Sequence, residues 1–237
     1  MPARARSEAV QIPDGSARLD ADLQVPSPCT GLVIFAHGSG SSRFSSRNRQ
    51  VAERLRDAGF ATLLLDLLTR AEEAVDVHTR EFRFDIGRLG RRVVAAADWA
   101  SREPSLRDLN IGYFGASTGA AAALIAAAER PAISSAVVSR GGRPDLAGDA
   151  LPLVQAPTLL IVGGDDEPVI ELNDEAKQQM QTVVRLEIVA GATHLFEEPG
   201  TLEAVERLAA DWFRQYLAGR HHHGAIELLD GVAPGER

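Results

Sequence analysis

With 237 residues, 45% of them hydrophobic and 24% charged, the chain has the composition of a folded globular protein with a sizeable core, not that of a disordered one. Its net charge of -8 argues against a nucleic-acid partner and against an anionic membrane surface, both of which call for clustered basic residues. The single cysteine, Cys29, excludes an internal disulfide and a thiolate metal cluster and fits a reducing compartment.

Taken in order, residues 1–10 carry charges but no apolar leader segment, and no later run approaches the ~18 apolar residues of a membrane span, so a cytoplasmic location is expected. Residues 9–12 and 17–25 alternate partly between apolar and polar and flank the turn Pro13-Asp14-Gly15-Ser16, which predicts an antiparallel entry hairpin. Residues 31–36 are continuously apolar, as suits an inner parallel strand covered on both faces, and run into His37-Gly38-Ser39-Gly40. A helix is predicted over 48–58, stopping at Gly59, then a strand over 61–65 ending at Asp66. Residues 67–84 show no clear period and read as an excursion over the site. Asp85 is placed to cap a helix over 86–101, whose Leu89, Val93, Val94, Ala97 and Trp99 make a buried stripe. Strands over 110–114, 134–138, 158–162 and 184–189 then alternate with helices over 120–128, 171–181 and 201–217.

This alternation predicts an α/β fold, a mostly parallel sheet with helices on both faces. No linker rich in Pro, Gly or Ser divides it, so one domain is expected over 1–220, with a tail over 221–237. Ligands of such sheets bind at the carboxyl ends of the strands, and His37, Asp66, Ser117, Asp166 and His194 each follow a predicted strand end.

Gly115-Ala116-Ser117-Thr118-Gly119 lies between a strand and an alanine-rich helix, the context a G-x-S-x-G nucleophile elbow requires. So sharp a turn brings the residues two before and two after the serine nearly into contact, and glycine at 115 and 119 removes the Cβ atoms that would clash. A serine hydroxyl is a poor nucleophile at neutral pH and needs a base, with a third group to orient that base. His194, in Gly191-Ala192-Thr193-His194 after the last strand, is placed to be the base. Asp165 and Asp166 both follow the Gly163-Gly164 turn; Asp166 is the preferred acid, and Asp165 reads as a solvated turn carboxylate. An oxyanion hole needs two backbone N–H groups: Thr118, next after the serine, supplies one, and Ser39 is chosen for the other, with Gly38 second.

The remaining candidates read more plainly. Gly38-Ser39-Gly40 follows a strand as a dinucleotide loop would, but Arg43 stands where its third glycine belongs and Asp66 lies too far along. His37 reads as a hydrogen-bonded loop residue, and Arg43, Arg47, Arg91 and Arg92 as solvated charges. His221-His222-His223 cannot form a site alone, because adjacent side chains diverge.

With these residues placed, the chain resembles the α/β-hydrolase superfamily and, within it, the dienelactone hydrolase-like branch. The resemblance rests on His37-Gly38-Ser39-Gly40, the elbow at Ser117, Gly163-x-x-Asp166 and Gly191-Ala192-Thr193-His194, and runs from the first strand to the last helix. It implies a compact serine hydrolase with the triad Ser117, Asp166 and His194. Dienelactone hydrolases proper carry cysteine as nucleophile where this chain has serine, so the substrate expected is a small carboxylic ester or lactone, cleaved through an acyl-enzyme. Amide cleavage, acyl transfer and perhydrolysis on the same triad are the alternatives, together with a non-catalytic relative that binds a partner. Residues 139–157 leave room for a short helix and no large cap, which predicts an open, shallow site. No cofactor and no metal are expected, and the oligomeric state stays open.

Overall fold

The computed structural model describes residues 5–217, so the expected tail over 221–237, with its three histidines, lies outside the described residues. In chain order the elements are β1 (Arg6–Asp14), β2 (Ala17–Val25), β3 (Gly31–Ala36), α1 (Ser46–Asp57), β4 (Phe60–Leu65), α2 (Arg70–Thr79), α3 (Ile86–Ala100), β5 (Ile111–Ala116), α4 (Thr118–Glu129), β6 (Ser134–Arg140), a 3₁₀ segment (Pro144–Leu153) kinked at Gly148, β7 (Thr158–Gly163), α5 (Glu167–Gln179), β8 (Val184–Val189) and α6 (Thr201–Tyr216). Eight strands form one sheet in the order β1-β2-β4-β3-β5-β6-β7-β8. The entry hairpin joins it antiparallel, through β2 on β4, and every pair from β4 to β8 is parallel.

The burial follows from this order. Every residue of β3, β4, β5, β6 and β7 is buried, because helices cover both faces and neither face can be polar. On one face α3 and α4 bring Leu89, Val93, Val94, Ala97 and Leu124 against Leu32, Ile34, Leu63 and Tyr113. On the other, α1 and α6 bring Val51, Leu55, Val205 and Phe213 against Val33, Phe35 and Phe114. Each such side chain contributes roughly 1.5–3 kcal/mol by leaving water, which makes the two-sided core the main source of stability. Alanines 120–123, all fully buried, let α4 lie close on the sheet behind the serine. Among the described residues no helix is long and apolar enough to cross a membrane.

Four expectations change. The hairpin turn has two residues, Gly15-Ser16, because the register pairs Asp14 with Ala17 and Gly15 takes φ 56. Trp99 is only partly buried and lies at the edge of the α3 stripe. α5 begins at Glu167, not 171, since Pro168 fits the first turn, where its missing N–H costs nothing. The stretch 67–84 holds a helix, α2. Thr69 caps it: its hydroxyl accepts the Glu72 N–H at 3.3 Å while the Glu72 carboxylate accepts the Thr69 N–H at 2.8 Å.

Candidate active site

β5 lies in the middle of the sheet, between β3 and β6, and its carboxyl end carries Ser117. The serine has φ 51 and ψ -124, a strained conformation for a residue with a side chain, and it starts α4. The flanking glycines are required by contact. A Cβ on Gly115 would sit 2.4 Å from Ala120 Cα, and one on Gly119 would sit 2.2 Å from Ala36 O. The elbow is therefore wedged between its own helix and the end of β3.

Asp166 N-caps α5, three residues past β7, and its Oδ2 lies 2.7 Å from His194 Nδ1. The Nδ1–H donates to the carboxylate, which leaves Nε2 with its lone pair. Asp165 points elsewhere in its hydrogen bonding: its N–H donates to Ala192 O at 2.9 Å and so ties the aspartate loop to the histidine loop. That histidine loop is held further by Glu198, which accepts the Thr193 N–H at 3.1 Å and the Thr193 hydroxyl at 2.6 Å. Phe196, two residues past His194, adopts φ 55, so two of the three non-glycine residues with positive φ among the described residues lie in this neighbourhood.

Ser117 and His194 meet the same backbone. The Ser117 N–H donates to Arg140 O at 3.3 Å, and a Cβ on the next residue, Gly141, would fall 3.6 Å from His194 Nδ1. Among the described residues no hydrogen bond joins the serine hydroxyl to the ring.

The loop after β3 lies on the other side of the serine. A Cβ on Gly38 would stand 3.7 Å from Ser117 Oγ, so this backbone passes directly over the hydroxyl. The Ser39 hydroxyl donates to Arg83 O at 3.2 Å and lies 3.0 Å from the Thr118 hydroxyl, linking the two backbone positions expected to supply N–H donors. His37 is buried and fully bonded: Nε2 accepts the Leu67 N–H and Nδ1–H donates to Gly38 O, each at 2.9 Å. Burial holds its pKa below the ordinary value, against opposing contributions from Gly38 O and Asp66, so the ring stays neutral and structural. Asp66 is taken up by Arg43, which donates both its N–H and its guanidinium.

The arginines differ from expectation. Arg91 is exposed as read, but Arg43 and Arg92 have largely buried side chains that pair with carboxylates, Arg43 with Asp20, Asp22 and Asp66, Arg92 with Glu72 and Asp14. Sequence reading also passed over Asp76 and Arg83. Asp76 is fully buried and accepts the N–H groups of Phe82 and Arg83 together with the Arg83 guanidinium. Burial pushes the Asp76 carboxyl up, and the Arg83 N–H, the Arg83 side chain and the Phe82 N–H outweigh it, leaving a net lowering. This pair fixes the 80–85 turn whose carbonyl anchors Ser39. Between the loop after β3 and α2 runs a cleft of about 660 Å³, walled by His37, Gly40, Phe44, Leu68, Glu73 and Val77.

Comparison with known proteins identifies the fold and the family. A crystal structure of a dienelactone hydrolase from Anabaena variabilis is 58% identical, covers 91% of this chain and is itself covered completely, with a TM-score of 0.89. Est1E from Butyrivibrio proteoclasticus shares the fold at 19% identity, with a TM-score of 0.73 over 87% of this chain and 98% of its own. Among curated proteins, a Mycobacterium tuberculosis protein named "Putative phosphoribosyl transferase" is 55% identical over 214 residues, 90% of this chain. The chain spans about half the length of that relative, 47%. The dienelactone hydrolase family matches residues 19–218, and the chain belongs to it and carries its α/β-hydrolase fold.

Proposed function

We propose that the chain is a serine hydrolase that cleaves small carboxylic esters or lactones through an acyl-enzyme. The observation that carries this reading is the 2.7 Å contact of His194 Nδ1 with Asp166 Oδ2, made beside the same 140–141 backbone that holds the strained Ser117. With Nδ1–H committed to the carboxylate, Nε2 is the nitrogen free to take the serine proton.

In the first step Ser117 Oγ forms a bond to the ester carbonyl carbon, its proton passes to His194 Nε2, and the carbonyl π pair moves onto oxygen. The N–H groups of Thr118 and Ser39 receive that oxyanion. The oxyanion then collapses, the bond to the alcohol oxygen breaks, and His194 returns the proton to the leaving group. Water repeats the sequence on the acyl-serine and releases the acid. Asp166 holds the ring and balances the imidazolium without taking its proton.

The test is turnover of p-nitrophenyl acetate. Wild type should hydrolyse it, and Ser117→Ala should lose about 10³-fold or more in kcat. An undiminished rate in the variant would remove Ser117 from the mechanism. A fluorophosphonate should label wild type at Ser117, whereas a binding protein on the same fold would not react.

The mycobacterial relative's name suggests a second activity, phosphoribosyl transfer. Because this chain matches 47% of that protein and the matching part is of the dienelactone hydrolase family, we place that activity in the unmatched half. Incubation of this chain with phosphoribosyl pyrophosphate and a base acceptor should release no pyrophosphate above the buffer rate.

A further inference from the structure

The buried stripe of α5 has a polar residue at its centre. Val169, Asn173 and Ala176, spaced four and three residues apart, are the buried residues of this helix, and the middle position is one where an apolar side chain is expected. Asn173 is 0% exposed, and its Oδ1 has no hydrogen-bond partner among the described residues. Asparagine is a poor helix former, and a buried acceptor left unpaired costs stability. A leucine at 173 would incur neither cost.

The other end of the amide shows what asparagine does there. Nδ2 donates to Val169 O at 2.7 Å, one turn back along α5, and to Gly142 O at 2.9 Å, in the segment that follows β6. Two carbonyls therefore take both amide hydrogens. Gly142 is confined on a further side: a Cβ there would lie 1.9 Å from Ser139 Oγ and 2.6 Å from Ala120 Cβ. The chain passes between β6, α4 and α5 with no slack.

This segment meets the serine and the histidine together. Arg140 O accepts the Ser117 N–H at 3.3 Å and the Arg143 N–H donates to Ser117 O at 3.0 Å, so both backbone groups of the serine end on residues 140–143. A Cβ on Gly141 would stand 3.0 Å from His194 O and 3.6 Å from His194 Nδ1. The third member, Asp166, is the N-cap of α5, about two turns before Asn173. We propose that Asn173 is a positioning residue: its bond to Gly142 O locks the 140–143 segment to α5 and so fixes the spacing of Ser117, His194 and Asp166. That this spacing serves catalysis rests on the hydrolase reading above; the lock on 140–143 does not.

Two measurements on the whole chain test this separately. Asn173→Leu keeps the bulk and removes the amide, so hydrogen exchange read by mass spectrometry should quicken about tenfold over 141–143 while β3 and β4 keep their protection. In hydrolysis of p-nitrophenyl acetate, kcat counted per serine that a fluorophosphonate labels should fall about tenfold with KM little altered, because the lock orders the reacting groups and touches no ester. Counting labelled serines removes any inactive fraction from the comparison. If Asn173→Leu does not fold, Asn173→Ser carries both comparisons, since its hydroxyl can still bond Val169 O but is too short for Gly142 O. Exchange unchanged over 141–143, exchange quickened equally in β3 and β4, or quickened exchange with kcat unchanged would each overturn the positioning role. Quickened exchange confined to 141–143 in a protein whose wild type neither hydrolyses the ester nor takes the label would instead overturn the hydrolase reading and leave the lock standing.

Discussion

The two flanks of β5 are built on opposite principles. On the β3–β4 side the buried polar groups described above are matched: His37 has both nitrogens bonded, Arg43 pairs with Asp66, and Asp76 is enclosed by Arg83 and two N–H groups. On the β6–β8 side the groups are left available. The His194 side chain is 38% exposed with one nitrogen unoccupied, and Arg140 has no ion pair among the described residues. The difference separates two tasks. In the proposed mechanism, backbone donors for an oxyanion are useful only if they do not move, which suits a flank held by satisfied ion pairs, and a base that must accept and return a proton needs a free nitrogen.

The sharpest way to break that contrast is to disable the working flank without disturbing the fixed one. Asp166→Asn keeps the size of the side chain but favours the wrong imidazole tautomer, and kcat for p-nitrophenyl acetate should fall by about 10³- to 10⁴-fold. Steady-state kinetics and a melting curve check this together: the melting midpoint should hardly change, because the pair is partly open to solvent. The converse experiment is Asp76→Ala. It strands Arg83 with little exposure, frees the 80–85 turn, and should cost about 3–5 kcal/mol of stability, seen as a melting midpoint lower by about 10 °C. If the large effects fell the other way round, the division of labour would be wrong.

Acid should weaken the fixed flank through Glu72. Burial pushes the Glu72 carboxyl up, but the Arg92 hydrogen bond and charge and the Thr69 N–H and hydroxyl together bring it down to about 2. Its folded-state pKa is thus depressed below the ordinary value of 4.5. The stability Glu72 contributes is fully present above that unfolded value and is lost as pH falls from it toward about 2. Glu72→Gln should remove that part of the acid dependence, so denaturant midpoints of wild type and variant, plotted against pH, should converge across this interval. Parallel curves would show that Glu72 is not the group responsible.

What was readable in the chain, and what was not, divides along similar lines. The elbow was legible because its cause is local: two Cβ clashes within five residues demand two glycines, whatever the rest of the fold does. The inner strands were legible because burial on both faces needs continuous apolar runs. α2 was not, because its pattern is inverted. Its buried residue is Asp76, while Val75 and Val77 are 45% and 54% exposed, so apolar periodicity points away from a helix. The Thr69-x-x-Glu72 capping box was the signal that could have located it. The ion pairs of Arg43 and Arg92 had no such signal, since their partners come from β1, β2, the residue after β4, and α2, distant in sequence. Nothing local distinguishes Arg140 from a surface arginine either; its burial is created by the register of β6 on β5 and by the approach of α1.

The smallest effect tests how the two expected oxyanion positions are joined. Thr118 lies at the start of α4 and Ser39 in the loop after β3, and their hydroxyls, 3.0 Å apart, are the direct side-chain link between the two expected oxyanion donors. Since Ser39 donates to Arg83 O, the Thr118 hydroxyl is left to donate to Ser39 Oγ. Ser39→Ala keeps both backbone N–H groups and removes this tie. A neutral hydrogen bond of this kind contributes about 1 kcal/mol, so kcat should fall about fivefold with KM little altered, because a displaced donor costs more in the transition state than in the bound ester. Thr118→Val removes the same tie from the other end, whereas Ser39→Ala also gives up the bond to Arg83 O, so the double variant should lose no more than Ser39→Ala alone. Additive losses would mean that each hydroxyl acts through other contacts and that the donors are held by their backbones alone.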